Sequence, residues 1–205
     1  MEGTSTDVKK NKDGTYTVVG GQADNSRAIY AVDKDGKRTS EIVGVSKTPN
    51  SFLDEKGNAV VGAVLDPKSN EGQAFVDKLQ KDDPWLLTYM VNATNGEKYD
   101  VKDKGIDERK SDQNELQHRY RGSKDKNGEW GSARDYGNFG AGMVAGRKGL
   151  SWDAARVGFD TFQGIKSKGL FGPFGNPRIV SEREAPVSVD AEWLGFQYGK
   201  YKLKK

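Results

Sequence analysis

The chain has 205 residues, of which 34% are hydrophobic and 31% charged, with a formal net charge of +3, one histidine and no cysteine. A mean hydropathy of −0.84 and the lack of any long uncharged apolar run exclude a membrane-spanning helix, and the missing cysteines exclude a disulfide framework and a thiolate nucleophile. A single histidine argues against a zinc site, so neither a metal nor a cofactor is expected, and any metal would have to be a hard, oxygen-bound one. Residues 1–100 sum to a charge of −3 and residues 101–205 to +6. That asymmetry fits an anionic partner for the second half as well as a simple solvated basic surface.

The first hundred residues read as strands and tight turns. Tyr16-Thr17-Val18-Val19 is a β-branched run closed by Gly20-Gly21. Ala28 to Val32 meets the turn Asp33-Lys34-Asp35-Gly36 and returns through Glu41 to Val45, which is a hairpin signature. A second hairpin is expected from Ser51-Phe52-Leu53 through Asp54–Asn58 to Ala59–Leu65. The spacing of Phe75, Val76 and Leu79 predicts a short amphipathic helix over 70–80 with Asn70 as its N-cap, and Leu86–Val91 reads as one more strand. The nearly all-charged segment Lys98–Asp112 reads as a junction.

Beyond it the punctuation changes to helical spacing and frequent glycine. Short helices are expected over 113–121 and 132–146, and a clearer one over 151–163, with Ser151 as N-cap and Trp152, Ala155, Phe159 and Phe162 on one face. A Gly- and Pro-rich loop (Gly169–Pro177) precedes a last helix opened by Ser188 and carrying Trp193, Leu194 and Phe196. The expected fold is α+β: a β-rich N-terminal half of antiparallel hairpins (1–100, a scaffold) followed by a small, mainly helical domain (101–205) that carries the chemistry.

The candidate chemistry falls in that second domain. Glu115-Leu116-Gln117-His118-Arg119-Tyr120-Arg121 holds a carboxylate, the histidine and two guanidinium groups within seven residues. These are the ingredients of metal-independent RNA cleavage, with acid and base for proton transfer and arginines for the phosphorane charge, and equally those of a solvated helix face with local ion pairs. Ser132–Gly146 is unusually rich in glycine. Glycine costs a helix roughly 1 kcal/mol relative to alanine, so its density has two readings: close helix packing, or backbone brought near a ligand beside Arg134, Asp135 and Asn138.

At this segment a family resemblance appears. Asp135-Tyr136-Gly137-Asn138-Phe139-Gly140-Ala141-Gly142, then Ser151-Trp152-Asp153-Ala154-Ala155-Arg156, then Glu192-Trp193-Leu194-Gly195-Phe196-Gln197-Tyr198-Gly199, resemble the C-terminal toxin tips of Rhs-type bacterial polymorphic toxins. The chain is more loosely similar to the polymorphic toxin type 44 domain, although Ser181–Pro186 replaces the acidic segment usual there. The resemblance implies an effector used in interbacterial competition. It would be released from a large secreted carrier, lack a signal peptide of its own, and be neutralised in the producer by a cognate acidic immunity protein. It also implies a nuclease or other hydrolase, with three options. The first is a metal-independent ribonuclease acting in the competitor's cytoplasm. The second is a peptidoglycan hydrolase in the periplasm, with Glu108 as general acid and Asp135 as base or nucleophile. The third is a binding module without enzymatic activity. Candidate catalytic residues are Glu108, His118 and Asp135; candidate substrate-binding residues are Arg119, Arg121, Arg134 and Asn138.

Overall fold

In the computed structural model, which describes residues 3–105, 114–168 and 186–203, seven strands form one mixed sheet. They are β1 (Thr4–Lys10), β2 (Tyr16–Ala23), β3 (Ala28–Val32), β4 (Arg38–Val45), β5 (Val64–Leu65), β6 (Gly122–Lys124) and β7 (Trp130–Ser132), in the order β4-β3-β1-β2-β5-β6-β7. The β1/β3 and β5/β6 pairs are parallel and the others antiparallel. Six helices accompany the sheet: α1 (Glu71–Asp82), α2 (Leu86–Asn92), α3 (Glu115–Arg119), α4 (Ala133–Arg147), α5 (Trp152–Lys168) and α6 (Pro186–Gln197), the last continued by a π-helical turn, Tyr198–Lys202. The fold is α+β, as the hairpin signals and helical spacing predict. No helix among the described residues is long and apolar enough to cross a membrane.

One turn pattern recurs four times, at Asn11–Thr15, Asp33–Lys37, Asp54–Asn58 and Asp125–Glu129. In each, the first residue's N–H and C=O bond the fifth residue's carbonyl and the fourth residue's N–H, and the fourth is a glycine with φ between +78° and +89°. In the three that begin with aspartate, one carboxylate oxygen also accepts the N–H groups of the third and fifth residues at 2.8–3.1 Å. A short Asp side chain that reaches its own backbone, and a glycine at positive φ, are what such a turn demands.

The sheet also meets itself. Ser46, just past β4, bridges Trp130 of β7 in parallel, and the Lys47 N–H donates to the Trp130 carbonyl at 2.6 Å. The two edges are thereby joined, and Val8, Val18, Ile29, Phe52, Val60, Ala63, Leu65, Tyr120 and Trp130 fill the interior. Closure removes the exposed edges that an open sheet would present.

A second core gathers Phe75, Val76 and Leu79 of α1, Tyr89 and Met90 of α2, Tyr99, Val101, Phe139 and Met143 of α4, Phe159 of α5 and Phe196 of α6. Here α4 and α6 run parallel at backbone contact. A Cβ on Gly142 would lie 1.8 Å from the Glu192 carbonyl oxygen and one on Gly146 2.3 Å from that of Phe196. One on Gly195 would lie 1.9 Å from the Phe139 oxygen and one on Gly199 2.1 Å from that of Met143. Close packing therefore accounts for these glycines.

Several expectations change. Leu86–Val91 is helix α2, because Leu86, Tyr89 and Met90 turn inward at helical spacing while Leu87 and Val91 stay exposed. The second hairpin keeps its turn, but its arms reduce to a Leu53–Ala59 bridge and the two-residue β5. The boundary at residue 100 does not separate sheet from helices: β6 and β7 come from beyond it, while α1 and α2 come from before it. The loop Gly169–Pro177 lies outside the described residues. Trp130→Ala should lower stability by about 3–5 kcal/mol, the usual cost of emptying a buried aromatic site. Gly195→Ala, which sets a methyl group against backbone, should cost about 1–3 kcal/mol. Chemical denaturation measures both.

Candidate functional site

The basic run on α3 is built into the fold through the loop that follows α2. Arg121 commits all five of its N–H donors. Nε and one Nη2 hydrogen grip the Glu71 carboxylate at 2.8 and 2.7 Å, the other Nη2 hydrogen meets the Val101 carbonyl at 2.7 Å, and Nη1 meets the Lys102 and His118 carbonyls at 3.0 and 2.7 Å. No donor remains for a substrate phosphate, so Arg121 acts as a clamp on residues 101–102. Arg119 pairs with both oxygens of Asp103 at 2.5 and 3.2 Å and with Glu115 at 2.8 Å. Burial opposes ionisation of Asp103, yet the Arg119 pair outweighs it and holds the carboxyl below its ordinary value. His118 Nε2 lies 3.1 Å from the Asp103 carbonyl oxygen. A carbonyl only accepts, so Nε2 carries the proton and Nδ1 is the acceptor nitrogen of the ring. Partial burial, and then the Arg121 charge, push its pKa down.

The next two candidates lie at the start of α4. Ser132 ends β7 and caps α4, its Oγ accepting the Asp135 N–H at 3.1 Å. Asp135 has no exposed surface; its carboxylate accepts the Thr48 hydroxyl at 3.0 Å, beside Ser51. Burial pushes this carboxyl up, against the opposing pull of Arg134 and the neighbouring hydroxyls. Arg134 is 6% exposed, donates to Ser188 Oγ of α6 at 2.7 Å and lies 5.6 Å over the Tyr120 ring. Both side chains fasten α4, Asp135 to the closing sheet and Arg134 to α6.

Asn138 behaves differently. With Lys102, Thr94, Tyr89, Phe159 and Glu192 it lines a cleft of about 80 Å³ between α2, α4, α5 and α6. Lys102 reaches it because the Arg121 clamp lays residues 101–102 against α4, where the Lys102 side chain packs beside Gly137. Tyr89 fixes the other wall, its hydroxyl donating to the Gly137 carbonyl at 2.6 Å. In the wall opposite, Glu192 is 1% exposed and is met by Arg156 Nη1, while Arg156 Nη2 meets Asp160 at 2.5 Å. One guanidinium thus bridges a buried carboxylate on α6 and a second carboxylate on its own helix. The rings of Trp152 and Phe159 flank it at 5.9 Å.

Of the residues singled out from the sequence, only Asn138 lines this cleft. His118 and Arg119 lie one loop away and bear on it through Asp103 and its neighbour Lys102, and Glu108 lies outside the described residues. Glu192, Arg156, Asp160 and Lys102 were missed. The signal for Glu192 was an acid set between Ala191 and Trp193-Leu194 in an otherwise apolar helix. Among the described residues no three acids or histidines gather in a way that could hold a metal ion. Comparison with protein-family models, with curated proteins and with solved structures finds no match to this chain.

The single histidine makes an unambiguous NMR reporter. His118 should titrate below the ordinary value of 6.5. Its neutral ring then favours the fold above that value, and this contribution is lost as pH falls through 6.5 toward the folded-state pKa. For Asp135 the sign reverses. A raised folded-state pKa makes stability fall as pH rises from the unfolded value of 3.8 through the folded one. Asp135→Asn should therefore gain on the wild type as pH rises above 3.8, in paired denaturation curves.

Proposed function

We propose that this chain is the toxin module of a Rhs-type polymorphic toxin and that it cleaves RNA in a competing cell, with the cleft lined by Lys102, Asn138 and Glu192, and Arg156 paired to Glu192, as its active site. The observation that carries this reading is a convergence. Of the three segments on which the resemblance rests, the first and the third line one cleft through Asn138 and Glu192, and Arg156 of the second pairs with that Glu192.

The chemistry of these groups fits phosphodiester transfer. Glu192 lines the cleft and is the group assigned to take the proton of a 2′-hydroxyl. The 2′-oxygen then attacks phosphorus, the 5′-oxygen leaves and takes a proton from water, and a cyclic phosphate remains. Arg156 and Lys102 supply positive charge where the phosphorane develops it, and Asn138 supplies a neutral donor at the rim. The basic charge of the second half favours a polyanionic substrate. Delivery by a carrier and restraint by an acidic immunity protein belong to the same proposal.

A second reading, hydrolysis of peptidoglycan, has one observation in its favour: Glu192 and Asp160 sit on the same guanidinium, which makes them close neighbours. Glycoside cleavage requires one of two carboxylic acids to arrive protonated. The basic charge of the second half favours a polyanion over a wall glycan, so the ribonuclease reading is preferred.

Expression in a test bacterium distinguishes them. The chain should kill from the cytoplasm and be harmless when directed to the periplasm; killing from the periplasm alone would establish the wall hydrolase. Glu192→Gln should cut RNA cleavage by the purified chain by about 10²–10⁴-fold, the usual cost of a lost general base. Asn138→Ala, less buried, should impair cleavage with little change in thermal midpoint, which separates a catalytic loss from a folding loss.

A further inference from the structure

Helix α6 and the π-helical turn that continues it press one face against α4 and leave the opposite face open. Gly195 and Gly199 meet the α4 backbone, so Trp193, Gln197 and Tyr201, each two residues from one of these glycines, project from the other side. Two large rings stand in solvent there, Trp193 being 40% exposed and Tyr201 62%. A single exposed apolar residue needs no explanation, but these two belong to a contiguous patch.

The patch is a run of rings with cations set among them. Trp152 of α5 stands edge-on to Trp193 with ring centres 4.9 Å apart, and Trp193 stacks on the buried Phe196 at 5.8 Å and 12°. The Lys200 Nζ then lies 5.4 Å from the centre of Phe196 and 5.5 Å from that of Tyr201. Lys200 and Lys202 meet no carboxylate among the described residues, and residues 193–205 hold four lysines and no acid. The run also reaches the cleft, because the Trp152 ring lies 5.9 Å from the Arg156 guanidinium that is held on Glu192.

Open rings offer stacking platforms, and unmatched ammonium groups beside them offer phosphate contacts. A single strand of nucleic acid presents both a flat apolar face and a negative charge at every repeat, and so complements such a surface. A duplex does not, since its bases are already stacked and paired with one another. A helix that lies on a lipid surface keeps its cations on the face opposite its rings, whereas here Lys200 sits between two of them.

We infer that this face binds a single strand of RNA, with bases stacked on Trp193 and Tyr201 and phosphates held by Lys200 and Lys202, and that it leads the strand along α6 to the cleft at Glu192. The inference rests on the ribonuclease reading for the choice of RNA and for the direction of the track. Binding itself requires no cleavage.

Anisotropy titration of the full chain with a short labelled single strand carrying 2′-O-methyl groups, which cannot be cut through the 2′-oxygen, tests this. The single strand should bind about tenfold more tightly than the same sequence in a blunt duplex. Tyr201→Ala should weaken single-strand binding by about tenfold with the thermal midpoint unchanged, and Trp193→Phe, which keeps a ring, should weaken it less than Trp193→Ala. Replacing Lys200 and Lys202 together by alanine should lower the slope of log affinity against log salt by about 1.4, at about 0.7 for each phosphate contact on a single strand. No saturable binding, equal binding of the duplex, binding indifferent to Tyr201→Ala and to the lysine pair, or a preference for vesicles of anionic lipid overturns the assignment. Failure of the ribonuclease reading alone leaves a chain that binds the strand through these residues and does not cut unmodified RNA. Failure of this inference alone leaves a chain that cuts RNA equally well with Tyr201→Ala.

Discussion

Two helices packed at backbone contact set the terms for the rest of the molecule. Where Gly142 and Gly146 of α4 meet Gly195 and Gly199, there is no room for a single added methyl group. This fixes the separation, rotation and axial offset of α4 against α6 more tightly than larger interdigitating side chains could. Asn138 and Glu192 come to share one cleft only because that register is fixed. Glycine weakens each helix taken alone, and the contact it permits is the compensation.

The same helix ties the two cores together. Its first turn is capped by the last residue of β7 and fastened by Asp135 to Thr48 and by Arg134 to Ser188. Its middle receives Tyr89 from α2. The loop from Tyr99 to Gly105 is then pressed against it by Arg121, whose saturated guanidinium is worth more as a brace than as a ligand. A charged side chain with every donor matched by a carboxylate or a carbonyl is well suited to ordering a polar loop.

How much of this was legible follows from what each feature asks of the sequence. The Asp-x-x-Gly turns are local: one carboxylate and one positive φ, both written within five residues. Helix α1 was legible from its apolar spacing. Strand β1 was not, because Ser5 and Thr6 are buried polar residues and break the alternation that marks a strand. Nor were β6 and β7, whose Gly-Ser-Lys and Trp-Gly-Ser carry no β-branched residue and owe their pairing to Leu65 and Ser46, more than fifty residues away. Helix α2 was read as a strand because six apolar or small residues in a row fit both periods. At the site, Asn138 was legible and Glu192 was passed over, since an acid in a surface helix is ordinary until its neighbours in space are known. His118, Arg119 and Arg121 had the right chemistry, but their partners, Glu71 and the 101–103 backbone, come from distant parts of the chain.

The seam between Ser46 and Trp130 bears on the order in which the protein can assemble. A ribosome delivers β1 to β4 early, yet the partner that joins β4 to the far edge of the sheet is synthesised about eighty residues later. Until then the nascent sheet keeps two unpaired margins, one at β4 and one at β5, and an empty place where the Trp130 ring belongs. Helices α1 and α2 likewise come about fifty and about forty residues before α4. Neither core can complete itself from the leading part of the chain, so both wait for the stretch from 120 to 145. Folding of these two cores is thereby held back until that stretch has joined them.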